Sequence, residues 1–414
     1  MNEHWYIETR MTRHLHPLFS TLRRNPAGAI LVALQIAVTL AVLVNAAALV
    51  TRSVAKMRRP TDLNTRDTFV ISVGRVTKDF NVARGVSEDL AYLHSLPGVV
   101  AATVTQGIPM TLDGFTLPLM LNTKGTGPSL PAAILPVDES GVRALGVRLV
   151  AGRNFRSDEI TTESSGNPFE GVSEVIVTQT VARTLFPHGH ALQKTVYLWN
   201  KAPVTIVGVV HDFMGPQLAL SPYASILIPE IVTQFGGYDL LVRTRPGARD
   251  AVLRAAKAHI GAAHQNAVII RTMTLAAAKR AMNLGQRNLV VFLTVISTIM
   301  LIFCCFGVFG LCTFNVGSRT KQIGIRRALG ARRRDIVAQF LTENVLILAV
   351  GMLLGSLLAL AIGQWLSDHE GVARLNPGYL LAGILVLGLV AQFAAWQPAR
   401  RAARVPPSVA TRTV

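Results

Sequence analysis

Four long apolar runs that contain no Asp, Glu, Lys or Arg constrain this 414-residue chain more than any other feature. A helix needs about 20 such residues to cross the hydrocarbon core of a bilayer, where backbone polar groups must be satisfied within the segment. The sequence therefore predicts transmembrane helices at 28–50, 289–314, 345–366 and 379–396. Only 15% of the residues are charged, against about 25% in soluble domains, which fits a membrane protein.

The distribution of Lys and Arg predicts the orientation of these helices, because cytoplasmic loops of membrane proteins carry an excess of both residues. The loop 317–341 has seven cations before its first acid, Asp335, and the segments 1–27 and 397–414 are also basic. We expect these three segments in the bacterial cytoplasm and the segment 51–284 outside the inner membrane. The net charge is +18, and its Lys and Arg residues cluster beside apolar runs rather than in an aromatic-rich or zinc-finger patch, so no nucleic-acid partner is expected.

Two features oppose this topology. Four cations follow the first run, at Arg52, Lys56, Arg58 and Arg59, and the three alanines 46–48 resemble a signal-peptide cleavage site. Long domains translocate largely regardless of charge, however, and the run is long for a signal peptide with 27 residues before it. An uncleaved first helix is therefore the preferred interpretation.

The segment 51–284 is predicted to be a large α/β extracytoplasmic domain inserted between helices 1 and 2 of an integral membrane α-helical protein. Its length is ample for an ordinary hydrophobic core. All cysteines, which are Cys304, Cys305 and Cys312, lie in the second apolar run, so this domain can have no internal disulfide.

Strand-forming residues and helix-cap signals predict the elements of this domain. They indicate strands at 69–73, 175–177 and 204–210, helices at 87–96, 178–185 and 251–260, and a loop at 122–131. Ser87 and Asp250 are expected to cap the first and third of these helices. The region 274–288 is expected to form one continuous helical stalk into the second membrane helix.

The sequence contains no recognisable catalytic motif. Gly-x-x-x-x-Gly-Lys-Ser/Thr, His-Glu-x-x-His and Gly-x-Ser-x-Gly are all missing, so we expect a non-catalytic subunit without a cofactor. His188 and His190 could be a metal pair, but a third ligand is missing and a turn after Pro187 explains them better. His211 and Asp212 could be a base and its orienting carboxylate, although a strand-end turn is simpler.

The loop between the second and third runs has a pattern that a plain basic loop does not require. One helical stripe contains, or comes close to, Ile325, Ala328, Leu329, Arg332 and Ile336. Gly330 is expected to end a first short helix, and the next helix leads into the third run. The alternative interpretation is a topogenic basic loop that rests on anionic lipid.

A sequence that closely resembles the signature of the FtsX/MacB-type permeases lies at 318–336, which reads Ser-Arg-Thr-Lys-Gln-Ile-Gly-Ile-Arg-Arg-Ala-Leu-Gly-Ala-Arg-Arg-Arg-Asp-Ile. The family pattern is roughly Arg-Thr-x-Glu-Ile-Gly-Ile-Arg-Arg-Ala-Leu-Gly-Ala, followed by basic residues and Asp-Ile. Gln322 departs from it, because the family usually has Glu there, and coupling would be altered if that acid contacts the ATPase. Supporting similarity extends over nearly the whole chain, at 152–155, 175–186, 204–212 and 398–404.

The resemblance implies a permease subunit of an ABC transporter of the mechanotransmission kind, with a MacB-like periplasmic core domain. It implies a separate ABC ATP-binding subunit docked on the cytoplasmic loop, a second permease subunit in a homo- or heterodimer, contact with membrane lipid, and a periplasmic adaptor as a candidate partner. The ATP-binding subunit is expected on another chain because only 27 residues precede the first run. Efflux or extraction of an amphiphilic substrate is the implied role.

The resemblance also assigns a coupling site to the loop. The residues expected to contact the ATPase are Ile323, Ile325, Arg326, Arg327, Ala328, Leu329 and Gly330. The apolar stripe is expected to enter a groove on the ATPase, and Arg326 and Arg327 are expected to meet acids at its rim.

Two other functions are compatible with four membrane helices and an outer domain. One is a regulatory scaffold that activates an envelope hydrolase, although the division-linked relatives with that role have a smaller outer domain. The other is a membrane receptor, for which neither terminus has room for an output module. A neighbouring gene for an ATPase would separate the receptor from the other two.

Overall fold

The computed structural model describes the residues 26–77, 80–123, 129–163, 169, 171–216, 221–232, 236–370 and 375–406. The chain divides into a helical unit, Met1–Arg58 with Gly285–Val414, and an α/β unit, Arg59–Leu284. In chain order the helices are α1 (Pro26–Met57), α2 (Val82–Ser95), α3 (Gly141–Leu145), α4 (Gln179–Leu185), α5 (Arg249–Ala263), α6 (Leu275–Met282), α7 (Leu284–Ser318), α8 (Thr320–Ala328), α9 (Arg333–Glu370) and α10 (Pro377–Ala402).

The strands all lie in the α/β unit. They are β1 (Thr68–Arg75), β2 (Val99–Thr105), β3 (Phe115–Met120), β4 (Ser129–Pro136), β5 (Leu149–Gly152), β6 (Thr161–Thr162), β7 (Glu174–Thr178), β8 (Thr195–Tyr197), β9 (Pro203–Val210), β10 (Ser225–Ile228), β11 (Glu230–Ile231), β12 (Gly237–Thr244) and β13 (Ala267–Thr274).

The helices α1, α7, α9 and α10 are each long and apolar enough to cross a membrane. Each contains one of the predicted runs and extends beyond it at both ends. At α9 the extension begins at a cap, where the Asp335 carboxylate accepts a hydrogen bond from the Arg332 backbone N–H at 3.0 Å. The prediction of four candidate membrane helices, with an α/β domain inserted after the first, is confirmed.

Within the helical unit, α9 packs closely along α1 through glycine. A Cβ atom at Gly351 would lie 2.8 Å from the Ala33 carbonyl oxygen, and one at Gly355 would lie 2.8 Å from the Ala37 carbonyl oxygen. Small residues allow helix backbones to approach in this way. Asn45 adds a polar contact between the same two helices, because its Nδ2 donates to the Ala359 carbonyl oxygen at 3.1 Å.

α7 packs much less extensively. Its buried residues are Cys304, Val308 and Cys312, which join the apolar cluster of α1, α9 and α10. Its other large apolar side chains are mostly exposed, among them Phe292, Phe303, Phe306 and Phe314. The helical unit therefore consists of a closely packed set, α1 with α9 and α10, and a fourth helix attached to it by few side chains.

The α/β unit contains two main sheets. The first has the strand order β13-β1-β12-β2 and is antiparallel throughout. The second has the order β5-β9-β7-β10-β4-β3-β8, and a further pairing of β8 with β9 closes it on itself. A short parallel pair, β6 with β11, lies beside them.

The two sheets pack on either side of one apolar core. Alternation along β1 shows the arrangement, because Val70 faces this shared core while Phe69 and Ile71 face a second core with α2 and α5 residues. A third core lies on the other face of the second sheet with residues of α4. α6 contributes Leu275 and Ala278 to the shared core, which anchors the last helix of this unit.

Several local predictions are wrong in detail. α2 begins before Ser87, because the Asn81 side chain accepts from the Arg84 N–H at 3.0 Å and caps the helix there. The cap of α5 is Ala248, while Asp250 instead accepts from the Arg249 side chain at 2.9 Å. β4 begins at Ser129, inside the predicted loop, of which residues 124–128 lie outside the described part.

The predicted continuous stalk at 274–288 is also wrong. β13 extends to Thr274, which pairs with Phe69 of β1 and then caps α6 through its side chain. The helix stops again at Asn283 before α7 begins. Asn and the nearby Gly285 have low helix propensity, which allows the break.

Candidate functional site

The candidate site is the short helix α8, which connects two candidate membrane helices. It ends where Gly330 adopts a positive φ of 98° and the Ala331 N–H donates to the Arg326 carbonyl oxygen at 3.1 Å. Glycine adopts this conformation without a side-chain clash. The predicted helix end at Gly330 is confirmed.

The apolar residues of this region divide between two faces. Ile323 is only 5% exposed and packs with Ile336 and Phe340 of α9 and with Ala399 and Ala402 of α10. The predicted single stripe is therefore wrong at Ile336, because the break at Gly330 places that residue on a different helix and in a core. This packing also makes Ile323 a support for α8 rather than part of its surface.

Ile325, Ala328 and Leu329 form an exposed apolar face at the end of α8, which we call the coupling face. Their spacing of three and four residues places them on one side of the helix. Ile325 is 45% exposed and Leu329 is 84% exposed, the largest value among the large apolar side chains of the described residues. Burial of such surface against another molecule would remove apolar area from water.

The two arginines that were predicted to meet partner acids have contacts within the chain. The Arg326 Nη1 donates to the Gln339 Oε1 at 2.5 Å, and the Arg327 Nη1 donates to the Val405 carbonyl oxygen at 2.5 Å. Both arginines thus connect α8 to neighbouring segments. Arg326 is nevertheless exposed, as are the loop cations Lys321, Arg332, Arg333 and Arg334.

Gln322, the departure from the family signature, is exposed on α8. Its neighbour Ile323 is buried, and the turn after it carries the exposed Ile325. The neutral side chain therefore lies on the surface of the same short helix as the coupling face, where a partner could contact it.

The sequence interpretation missed an ion pair at the start of α8. Arg319, between α7 and α8, donates through Nη1 to both carboxylate oxygens of Glu343 in α9, at 3.0 and 3.1 Å. Glu343 is the one acid in the sequence between Asp335 and Asp368. A single carboxylate next to a predicted membrane run was the signal that could have identified it, since such groups are expensive without a partner.

In the α/β unit, His211 and Asp212 do not form a base and its orienting carboxylate. The Asp212 Oδ1 accepts from the Thr180 backbone N–H at 2.6 Å, at the start of α4. The His211 Nδ1 lies 3.1 Å from the Asp212 carbonyl oxygen rather than its carboxylate. The carboxylate thus serves as a helix cap.

No group of three or more His, Cys, Asp or Glu residues that could hold a metal ion occurs in the described part of the chain. His188 and His190 are both exposed. A buried polar cluster elsewhere in the α/β unit has its own partners. There Asp89 accepts from the Tyr238 hydroxyl at 2.7 Å and lies 2.9 Å from the His264 Nε2.

Two other buried carboxylates of the α/β unit have shifted proton affinities. Burial raises the pKa of Asp138 to about 6, although the Thr103 hydroxyl donates to it at 2.8 Å. Burial likewise raises the pKa of Glu230 to about 7, although the Phe169 N–H donates to its carboxylate at 2.9 and 3.0 Å. Both groups fix a loop next to a strand, which is a structural role.

Comparison with known protein families assigns both units. The MacB-like periplasmic core domain matches residues 29–259, and the FtsX-like permease C-terminal domain matches residues 294–407. The chain belongs to the FtsX/MacB-type family of ABC transporter permeases. The resemblance seen in the sequence is thereby confirmed, and the chain is a multi-pass membrane protein of that family.

Similar curated proteins are macrolide export ATP-binding/permease proteins named MacB. The one from Agrobacterium fabrum strain C58 is 25% identical over 300 residues, which cover 70% of this chain and 45% of the relative. The one from Escherichia coli K12 is 29% identical over 262 residues, which cover 59% and 40%. This chain thus spans less than half the length of either relative.

Solved structures with a similar backbone include two outer domains of such transporters. The periplasmic region of MacB from Actinobacillus actinomycetemcomitans covers 55% of this chain and 97% of its own, with 14% identity and a TM-score of 0.33. The extracellular domain of YknZ, described as a noncanonic ABC-type transporter from Gram-positive bacteria, covers 49% and 100%, with 13% identity and a TM-score of 0.31.

Proposed function

We propose that this chain is the membrane subunit of an ABC transporter complex and that the coupling face on α8 docks the ATP-binding subunit. The observation that carries the proposal is the exposure of Ile325 and Leu329 at the end of a short helix that connects two candidate membrane helices. A soluble partner bound there would exert force on both membrane helices.

The choice of an ATP-binding subunit as the partner rests on the family and on the sequence. The permease family is shown, and the 414 residues contain no phosphate-binding loop. The MacB relatives are named as combined ATP-binding and permease proteins and are more than twice as long as the matched region. We therefore propose an ATP-binding subunit as the partner, and we expect no ATP hydrolysis by the 414 residues alone.

Energetics favour the coupling face over the loop cations as the main source of affinity. Burial of one large apolar side chain contributes about 1.5–3 kcal/mol, whereas an exposed ion pair contributes about 0–1 kcal/mol. Arg326 and Arg327 already have partners within the chain. The remaining loop cations would then accelerate association with an acidic surface and add a salt-dependent term.

In the proposed complex the loop 317–341 and both termini lie in the cytoplasm, and the α/β unit lies outside the inner membrane. The working unit contains a second permease subunit, as a homo- or heterodimer, with lipid around the helices and a periplasmic adaptor as a further candidate partner. We propose an amphiphilic substrate, because the named relatives export macrolides. ATP-driven movement of α8 would then reach the α/β unit through α7.

The test compares two matched double variants of the loop, purified with a tag from native membranes. Ile325→Asp with Leu329→Asp places two charges on the coupling face, and Arg333→Asp with Arg334→Asp places two acids on the same loop outside it. We measure the vanadate-sensitive ATPase activity that co-purifies with each permease variant. Loss with the first variant and retention with the second at moderate salt supports docking through the face.

Two outcomes would contradict the proposal. One is that the Ile325→Asp, Leu329→Asp variant co-purifies with as much ATPase activity as the wild type does. The other is a loss that follows the number of cations removed, whichever apolar residue is changed, because this is the result expected for a loop that rests on anionic lipid. Amide exchange in β1 and β12 provides the folding control, and it should be unchanged in both variants.

A further inference from the structure

The ion pair between Arg319 and Glu343 has an unusual position in the helical unit. Arg319 is the residue between α7 and α8, and Glu343 lies in α9, two residues before the third predicted membrane run. The side chains are 21% and 12% exposed, so both are largely removed from water. A pair in this environment is screened less by salt than an exposed one.

Glu343 also connects to the far end of α8. The Gln339 Nε2 donates to the Glu343 Oε1 at 3.2 Å, and the Gln339 Oε1 accepts from the Arg326 Nη1 at 2.5 Å. Gln339 and Glu343 are one helical turn apart in α9. Arg319 comes immediately before α8, and Arg326 lies in its last turn. Two residues of α9 therefore hold both ends of the short helix.

This connection matters because α7 has few other attachments to the rest of its unit. Its buried residues all come before the junction at Arg319 in the chain; they are Cys304, Val308 and Cys312. α9, in contrast, packs tightly on α1 through Gly351 and Gly355. At the α8 end of the unit, the Arg319–Glu343 pair joins the loosely packed helix to the tightly packed set, together with apolar packing of Val316 against Ile336 and Phe340 of α9.

We propose that Glu343 is a positioning residue for coupling, which clamps the α7–α8 junction to α9 so that both membrane helices move together when α8 moves. The proposal rests on the proposed function in one respect, namely that a partner moves α8. Without the clamp, the apolar packing of Val316 and Ile323 on α9 would remain, and α7 would separate from α9 more readily. Arg319 is the other half of the clamp, and Gln339 extends it to Arg326.

The experiment measures the distance between spin labels on α7 and α9 in the full chain reconstituted in lipid nanodiscs. Labels at Thr313→Cys and Ala338→Cys occupy exposed positions, in a background where the three native cysteines are alanine. Glu343→Gln keeps the size of the side chain and removes its charge. The expected result is a broadened distance distribution, with an open population raised about tenfold, the factor for loss of one charged hydrogen bond.

Matched variants separate a clamp from general damage. Asp335→Asn removes the other acid near the start of α9 and should leave the distribution narrow. The exchanged pair Arg319→Glu with Glu343→Arg should restore the narrow distribution that either single change broadens. An unchanged distribution in Glu343→Gln, or one in the exchanged pair as broad as in the single variants, overturns the proposal. If the exchanged pair does not insert, Glu343→Asp replaces it as the variant that must stay narrow.

A second measurement distinguishes this proposal from the docking proposal. The Glu343→Gln variant retains the coupling face, so it should keep vanadate-sensitive ATP hydrolysis bound at the wild-type level. On addition of ATP and vanadate, the distance between the labels on α7 and α9 should stay constant in the wild type, because the clamped helices move together. In Glu343→Gln it should change, because α7 then moves without α9. If the Ile325→Asp, Leu329→Asp variant co-purifies with as much ATPase activity as the wild type, the docking proposal is wrong. The distances measured in the isolated permease would still support the clamp.

Discussion

The α/β unit and the α8 segment differ in which side chains they bury. In the α/β unit, apolar residues of both sheets fill a shared core, and buried acids such as Asp89 and Glu230 have partners inside the unit. At α8, the arginines Arg326 and Arg327 have intrachain partners, while Leu329 is left in water. The difference teaches that a substitution should act on folding in the first region and on association in the second.

The largest expected effect is on association, at the coupling face. Ile325→Asp with Leu329→Asp should weaken binding of the ATP-binding subunit by about 3–6 kcal/mol, the sum for two apolar side chains that can no longer be buried. The change in binding free energy is measured by titrating the captured ATPase activity against permease concentration. A similarly large fall in the unfolding free energy of the α/β unit would break the comparison, because the double substitution would then act on folding.

The next effect is on folding, at the buried Asp89. Asp89→Ala leaves the Tyr238 hydroxyl and the His264 ring without their acceptor, so the unfolding free energy of the α/β unit should fall by about 3–5 kcal/mol. Amide exchange in β12 and α2 measures it in the full chain. Asp89→Asn keeps one acceptor oxygen and should lose less. Equal loss in the two variants would indicate that packing, not the hydrogen bonds, is responsible.

The sequence predicts what depends on hydrophobic pattern within one segment. The four runs, the strand at 204–210 and the helix end at Gly330 all follow from local residue types, and all are present. Pairing between distant segments is different: Ile336 was assigned to one stripe with Leu329, but it packs with Ile323 and with Ala399 of α10. The ion pair of Arg319 and Glu343 also joins residues 24 apart in sequence. Such contacts depend on tertiary geometry, which no single-segment period contains.

The coupling site shows the same limit. Ile325, Ala328 and Leu329 were identified from their spacing, and the structure leaves them exposed together. The resemblance assigned Arg326 and Arg327 to acids of a partner, and this assignment stays a prediction. The structure adds contacts within the chain, with Gln339 and with the Val405 carbonyl. Charge alone does not distinguish an arginine that supports a helix from one that meets a partner.

A third prediction concerns pH and the α/β unit. The pKa of Glu230 is raised to about 7 in the folded state, above its ordinary value, so the folded state binds the proton more tightly than the unfolded state. The resulting stabilisation, up to about 3 kcal/mol, is complete below about pH 4 and is lost as the pH rises through about 7. Urea midpoints of wild type and Glu230→Gln between pH 5 and 8 measure it.

The difference between those two proteins isolates Glu230 from other groups with raised pKa values, such as Asp138. Wild type should lose more stability with rising pH than Glu230→Gln does. Asp138→Asn provides the matched control, because it should keep the Glu230 contribution. Parallel curves for wild type and Glu230→Gln would show that the Phe169 N–H holds the carboxylate ionised throughout this range.

The smallest expected effect belongs to the exposed cations of the loop. Arg332→Ala with Arg333→Ala should weaken ATPase association by about 0–1 kcal/mol for each cation, since both side chains are solvated and ion pairs there are screened. The loss should appear in the association rate at low salt and disappear as the ionic strength rises. Leu329→Ala, in contrast, should raise the dissociation rate at every salt concentration, because apolar burial is not screened. Surface plasmon resonance with the nanodisc-bound permease separates the two rates. A salt-dependent loss with Leu329→Ala, or a salt-independent loss with the two arginines, would reverse the assigned roles and leave the basic loop, rather than the coupling face, as the source of affinity.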